Sequence, residues 1–492
     1  MSQSPWPRVA TLKTAAAFRG HLDRAGINIG FDEHLESGTG SALARSLDVD
    51  GIRIGNRFCI LPMEGWDGTA DGEPTDLTRR RWRNFGLSGA KLIWGGEAVA
   101  VRPEARANPN QLVINDRTQG SLAALRSELL AAHIDAFGSR AADDLFIGLQ
   151  LTHSGRFARP VEKHVPAPLA AHRHPLLDKR FPGGLHVLTD GEIDRMVLEF
   201  IRAARQAFDA GYQFVDIKHC HGYFAHELLG AHRRGGKYGG SLENRTRFMR
   251  DAIDGIRAEV PRLLVGVRLS AFDVVPFKKD SLGRGIAEMA ADADDHAFGL
   301  LEDEDIERAL DESYAILHML EARHVKWICV TAGSPYYCPH VQRPALFPPA
   351  DGYDPPEDPL RGVARQIDAT ARLKAAFPNL VFVGSAYSYL QEWLPHVAQH
   401  NVRKGLTDFV GLGRVALSYP DLPADVLRGT PLRRKSICRT FSDCTTGPRL
   451  GLVSGCFPLD PFYAAHPDAI RLRELKQGPV SPKPQAKAGV RT

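Results

Sequence analysis

The sequence predicts an α/β fold: a closed (β/α)8 barrel of the TIM type with an N-terminal extension and a C-terminal tail. Short apolar runs alternate with longer amphipathic segments, the pattern of βα units on a parallel sheet. Eight such runs stand in one series, the number a closed barrel needs. Long polar excursions rich in Pro and Gly follow the third run (155–188), the fifth (272–305) and the sixth (334–359). These leave strand C-terminal ends, the face on which barrel enzymes carry their chemistry. A doubly wound open sheet is the weaker alternative, because no run leads into a G-x-G-x-x-G turn.

In order, the candidate strands are FCILPM from Phe58, KLIWGG from Lys91, LFIGLQLTH from Leu145 and FVDIKH from Phe214. LLVGVRLS from Leu263, VKWICVTAG from Val325, LVFVGS from Leu380 and DFVGLG from Asp408 complete the set. Candidate helices between them include 192–210, 243–259, 306–322 and 364–376. Residues 1–45 form the extension. LDVDGIRIGN, just before the first strand, reads as a strand pair with a tight turn, placed to plug the barrel bottom. The barrel is assigned to 46–430, and 431–475 form a C-terminal segment with an incomplete cysteine motif. Residues 476–492 are polar, rich in Pro and Lys, and expected to be disordered. The acidic stretch 288–307 reads as a solvated surface loop or lid.

The 62 Lys+Arg against 58 Asp+Glu carry no basic patch or stripe of the kind nucleic acid requires. After Pro431 there are 11 Lys+Arg and 4 Asp+Glu, so the slight basicity belongs to the tail and the barrel is mildly acidic. No run approaches the length of a membrane span, and the start lacks the apolar core of an export signal. Seven cysteines are too sparse for a disulfide scaffold. A cytoplasmic protein acting on a small molecule, with no nucleic-acid or membrane partner, is expected; a homo-oligomer remains open.

The strongest local signal is KHCHGYFAHELLGAHRRGGKYGGSLENRTRF, running from Lys218 directly off the fourth strand. Lys218, His221 and Tyr223 place a cation, an imidazole and a phenol at one strand tip. Such a set suits holding a developing oxyanion and delivering a proton. Each residue alone is more often structural, but three adjacent polar groups at a buried tip serve little packing purpose.

HGY-x5-L followed by YGGSLENR resembles the Old Yellow Enzyme family of FMN-dependent NAD(P)H:flavin oxidoreductases. GIRIGNRFCILPME resembles that family's first strand, GLQLTHSGR its third, VGVRLS its fifth, and GLGR with YPDLP its eighth. The resemblance covers roughly residues 46–430 and implies a TIM barrel with flavin across its mouth. It places Gly384, Ser385, Gly413 and Arg414 at the flavin phosphate, where backbone N–H groups and a guanidinium suit a dianion. Gln150 and Arg268 fall at the pyrimidine edge of the isoalloxazine, and Pro62, Met63 and Ala98 beside N5. The resemblance makes Lys218 and His221 the pair that bonds the substrate's electron-withdrawing group, and Tyr223 the proton donor in alkene reduction with NADH or NADPH as reductant.

Two departures bear on substrate. Family members commonly carry His where Lys218 stands, and Thr or Cys where Glu64 stands. A lysine admits an anionic substrate. A carboxylate at Glu64 disfavours negatively charged reduced flavin unless it is protonated or paired. It is placed either to pair with Lys218 or to act as a base. Cys438, Cys444 and Cys456 resemble the iron–sulfur segment of the dienoyl-CoA reductase and trimethylamine dehydrogenase branch, but Phe441 occupies the second cysteine's position and no dinucleotide-binding domain follows. No iron–sulfur cluster is therefore expected; a three-cysteine cluster or zinc site is the alternative. The expected activity is reduction of an activated, conjugated alkene. Oxidative amine demethylation or dehydrogenation on the same barrel is one alternative, and a non-catalytic flavin-binding scaffold another.

Overall fold

In the computed structural model, which describes residues 5–290 and 292–477, the eight expected strands form one closed parallel ring. They are β1 (Phe58–Ile60), β2 (Leu92–Ile93), β3 (Phe146–Thr152), β4 (Phe214–His219), β5 (Leu264–Ser270), β6 (Trp327–Thr331), β7 (Val381–Gly384) and β8 (Phe409–Leu412). Each pairs with its sequence neighbour, and β8 closes on β1 with Val410 opposite Phe58. Residues 478–492, most of the tail expected to be disordered, lie outside the described residues.

The second barrel strand is interrupted. Leu92 and Ile93 pair with Phe146 and Ile147, and the strand resumes at Ala98–Ala100 against Gln150, Leu151 and Thr152. Trp94 to Glu97 thus stand opposite Gly148 and Leu149 alone, a bulge that redirects the strand towards the mouth. Gly95 and Gly96 permit it: both take positive φ, and a Cβ on Gly95 would lie 2.7 Å from the Gln150 amide nitrogen.

Barrel strands are buried on both faces, which is why they read as unbroken apolar runs. Inside the ring, Cys59, Leu92, Phe146, Phe214, Trp327, Val381 and Phe409 pack with Val49 and Ile54 of an antiparallel hairpin, Leu47–Val49 with Ile52–Ile54. Its Asp50–Gly51 turn has positive φ at both residues, the geometry a two-residue hairpin prefers. This is the bottom plug that LDVDGIRIGN predicts. Outside the ring, the helix Asp190–Asp209 starts at a Thr189/Glu192 capping box and buries Ile193, Met196, Phe200 and Ala203. Ile193, Met196 and Phe200 each contribute about 1.5–3 kcal/mol. The expected helix at 243–259 is split into Leu242–Arg245, capped by Ser241, and Arg247–Glu259.

The N-terminal extension docks outside the barrel: Phe18, on the helix Ala15–Ala25, stacks on Trp393 at 4.8 Å, and His21 bonds Asp358 at 2.8 Å. The C-terminal segment folds into the helices Asp443–Arg449, Pro461–Ala464 and Asp468–Gln477 over a small core of Leu452, Phe457, Tyr463, Ala469 and Leu472. It is tied to the barrel by a two-pronged Arg80–Asp460 pair at 2.8 and 3.0 Å, and to the loop after β6 by Arg343 bonding Thr445 at 2.6 Å.

Candidate active site

A cavity of about 880 Å³ opens at the C-terminal end of the barrel. The structure brings Pro62, Met63, Glu64, Ala98, Gln150, Lys218, His221, Tyr223, Arg268, Ser385, Gly413 and Arg414 to its wall. Gly384 does not line it; it sits behind Ser385, packed against Tyr387.

The tip of β4 is a strained turn. His221 (φ 69°) and Gly222 (φ 74°) are consecutive left-handed residues, a conformation held only where the surroundings enforce it. Here Ser270 Oγ accepts from the His221 amide, Ser334 Oγ donates to the His221 carbonyl, and His226 Nδ1 accepts from the Gly222 amide. The turn aims Lys218 and Tyr223 at one point and His221 at another. Lys218 Nζ pairs with Glu64 Oε1 at 2.9 Å and lies 3.8 Å from the centre of the Tyr223 ring. Tyr223 Oη donates to Glu64 Oε2 at 2.7 Å and lies 2.7 Å from Tyr336 Oη. His221 Nε2 instead faces Gln342 at 3.0 Å and Thr331 at 3.4 Å. Burial and the nearby Arg268 and Lys218 charges hold His221 well below the usual histidine range. Burial and the Glu64 charge push the Tyr223 phenol up.

The backbone next to Glu64 is held by a buried network. Arg81 of the helix Asp76–Leu87 bridges Asp67 and Glu97, and Glu97, carried by the β2 bulge, accepts from the Gly65 amide. Of the two arrangements open to Glu64, the side chains adopt the ion pair with Lys218.

Deeper in the ring, Asp216 accepts from Trp94 Nε1 at 2.8 Å, Gln150 Nε2 at 2.5 Å and the Arg268 amide at 2.6 Å. Burial pushes its carboxyl up to about 6. The Arg268 guanidinium reaches only the Pro62 carbonyl at 3.4 Å; its Nε has no partner, and no carboxylate stands within ion-pair distance among the described residues. At the β7–β8 end, Ser385 Oγ, Arg414 Nη1 and Arg343 Nη2 are buried with no hydrogen-bond partner among the described residues, and a Cβ on Gly413 would enter open space. Neither arginine has an ion pair among the described residues, and burial together with the Arg414 charge disfavours the charged form of Arg343. Buried donors are normally satisfied. Two unopposed guanidiniums, a hydroxyl and a vacant glycine edge fit a phosphate dianion, and Arg268 with Gln150 fits the polar edge of a flavin ring. The residues present therefore fit FMN.

Arg343, Tyr336 and Gln342 escape the sequence reading. All three come from the loop after β6, where no periodicity marks them. Cys444 also lines the cavity, while Cys438 and Cys456 are buried thiols. Phe441 packs on Phe347 at 5.4 Å, and among the described residues no group of three or more His, Cys, Asp or Glu is disposed to hold a metal.

Comparison with known proteins adds sequence and fold relatives. Residues 45–314 match the NADH:flavin oxidoreductase / NADH oxidase family. An NADPH dehydrogenase of Geobacillus sp. (strain WCH70) is 33% identical over 236 residues, covering 46% of this chain and 63% of the relative. The matched part thus spans less than two thirds of that curated relative. Among solved structures, morphinone reductase superimposes with a TM-score of 0.53 at 21% identity over 81% of this chain and 92% of its own. Histamine dehydrogenase from Rhizobium sp. 4-9 gives 0.58 at 19% identity, covering 85% and 52%. These structural likenesses concern the fold. With more than half its length matched, from the hairpin under the barrel to beyond β5, the chain belongs to the NADH:flavin oxidoreductase / NADH oxidase family.

Proposed function

We propose that the protein is an FMN-dependent oxidoreductase that takes hydride from NADH or NADPH and reduces an activated, conjugated alkene, with Tyr223 giving the proton. The observation that carries this reading is the buried Tyr223 phenol in the cavity wall with a lysine ammonium 3.8 Å from its ring centre. Bound FMN would supply hydride to the alkene's β-carbon. The protein's part is to hold the electron-withdrawing group near Lys218, so that charge developing on its oxygen meets a fixed cation, and to pass the Tyr223 proton to the α-carbon. The same cation stabilises the phenolate left behind. Arg268, with no ion pair among the described residues, favours negative charge on the reduced cofactor.

Separating the two half-reactions tests the reading. Tyr223→Phe should slow oxidation of the reduced enzyme by an enone about 10²- to 10⁴-fold while leaving NAD(P)H oxidation largely unchanged. Equal loss in both half-reactions refutes the proton-donor role. Glu64 favours a second reading, oxidative demethylation or dehydrogenation of an amine, since a carboxylate in the cavity attracts an ammonium. Anaerobic mixing of oxidised enzyme with methylated amines separates the two: bleaching by amines and none by NAD(P)H selects the second. Bound flavin that neither donor bleaches selects the flavin-binding scaffold, and purified protein that binds no flavin refutes the enzyme reading. No described helix is long and apolar enough to cross a membrane.

A further inference from the structure

Resting on the alkene-reductase reading, we infer that Tyr336 is the residue that returns a proton to Tyr223 after each turnover. A phenol has one proton and a carboxylate none. Tyr223 Oη lies 2.7 Å from Glu64 Oε2, so Tyr223 donates there. Its proton is then committed, and in the 2.7 Å contact between the two phenols Tyr336 is the donor. The chain of donation runs from Tyr336 through Tyr223 to Glu64, and Glu64 is closed off on its other side by Lys218.

The chain ends on the cavity side. Tyr223 is 2% exposed, whereas Tyr336 is half-buried and lines the open cavity. Tyr336 is also held in place: its ring stacks on Phe157 at 4.1 Å and 7°, and its amide donates to Ser334 Oγ at 3.2 Å. Ser334 is the residue whose hydroxyl holds the His221 carbonyl, so one serine sets both the β4 turn and the loop carrying Tyr336.

In the step, the Tyr223 O–H bond breaks and an α-carbon–hydrogen bond forms, using the electron pair that hydride addition at the β-carbon releases. The Tyr223 phenolate takes the Tyr336 proton along the existing hydrogen bond, and Tyr336 is refilled by water at the cavity mouth. One hydride and one solvent proton enter per alkene reduced. Tyr336 touches no reacting atom and is a positioning and relay residue.

Tyr336→Phe keeps the stacked ring and removes only the relay hydroxyl. With cyclohexenone as the probe, the first turnover of prereduced enzyme should stay within about three-fold of wild type, because Tyr223 still carries its proton, whereas continuous turnover should fall about ten-fold or more. Added imidazolium buffer should restore continuous turnover. Equal loss in both modes, or loss in neither, overturns the inference. Should the variant not fold, a proton inventory of wild-type turnover in mixed light and heavy water decides. A curved dependence, with more than one proton in flight, is expected; a linear one overturns the inference. Wild-type enzyme that NAD(P)H reduces but that reduces no enone refutes the underlying reading and the relay with it.

Discussion

Removing the cation at position 218 should cost the protein more than removing both members of its pair. Lys218 and Glu64 stand 2.9 Å apart with side chains 4% and 14% exposed. At that separation two unit charges attract by about 6 kcal/mol at an effective dielectric of ~20 and about 1.4 kcal/mol in water. Low exposure puts the pair nearer the first figure, while the desolvation of both ions offsets much of it. Lys218→Met leaves Glu64 ionised in a nearly dry wall with only the Tyr223 hydroxyl as donor, a loss of about 3 kcal/mol. Lys218→Met/Glu64→Gln removes the stranded charge and should return to within about 1 kcal/mol of wild type, about 2 kcal/mol more stable than Lys218→Met alone. Urea unfolding of the four proteins near neutral pH gives the cycle. A coupling below about 0.5 kcal/mol, or a single variant as stable as wild type, would refute the claim that the pair is internal and mutually dependent.

The two unopposed arginines should each govern cofactor retention: Arg343→Ala and Arg414→Ala are expected to weaken FMN binding about 10- to 100-fold, as loss of charged hydrogen bonds implies. Flavin fluorescence titration of the apoprotein measures this, and unchanged affinity in either variant removes that residue from the phosphate site. Asp216 holds its proton to about pH 6 in the fold against an ordinary 3.8. Stability from this group is therefore full below the lower value and lost as pH rises through the upper. Relative to Asp216→Asn, wild type should gain up to about 3 kcal/mol as pH falls from about 6 to about 4. A difference in unfolding free energy that is flat across that window contradicts the assigned shift.

The barrel is legible in the sequence because strands covered on both faces must be apolar throughout, and β3, β4 and β5 read as such with boundaries moved by a residue or two. The β2 bulge is less legible: KLIWGG shows glycines, but that Trp94 to Glu97 stand opposite two residues depends on pairing with β3. At the site, the β4 tip announces itself because its polar residues are close in sequence. The ion pair of Lys218 with Glu64 joins residues 154 positions apart, and chemistry alone suggested it as one of two arrangements. Arg343 and Tyr336 stayed hidden for a physical reason: what distinguishes them is an absent partner and a shared proton, and both exist only once the loop after β6 is folded over the mouth.

That Thr445, Pro448 and Ser454 help to wall the cavity bears on the order in which the protein is made. During synthesis β1 carries an open edge until β8 has left the ribosome, and the ring then closes around the hairpin beneath it. Even a closed ring would lack one side of its pocket until the helix Asp443–Arg449 is in place and Arg343 has found Thr445. A flavin bound as proposed would then be retained only once that helix has docked. Proteolytic nicking just before that helix would leave a well-folded barrel with a leaking cofactor site, a form that circular dichroism would pass as intact and visible colour would not.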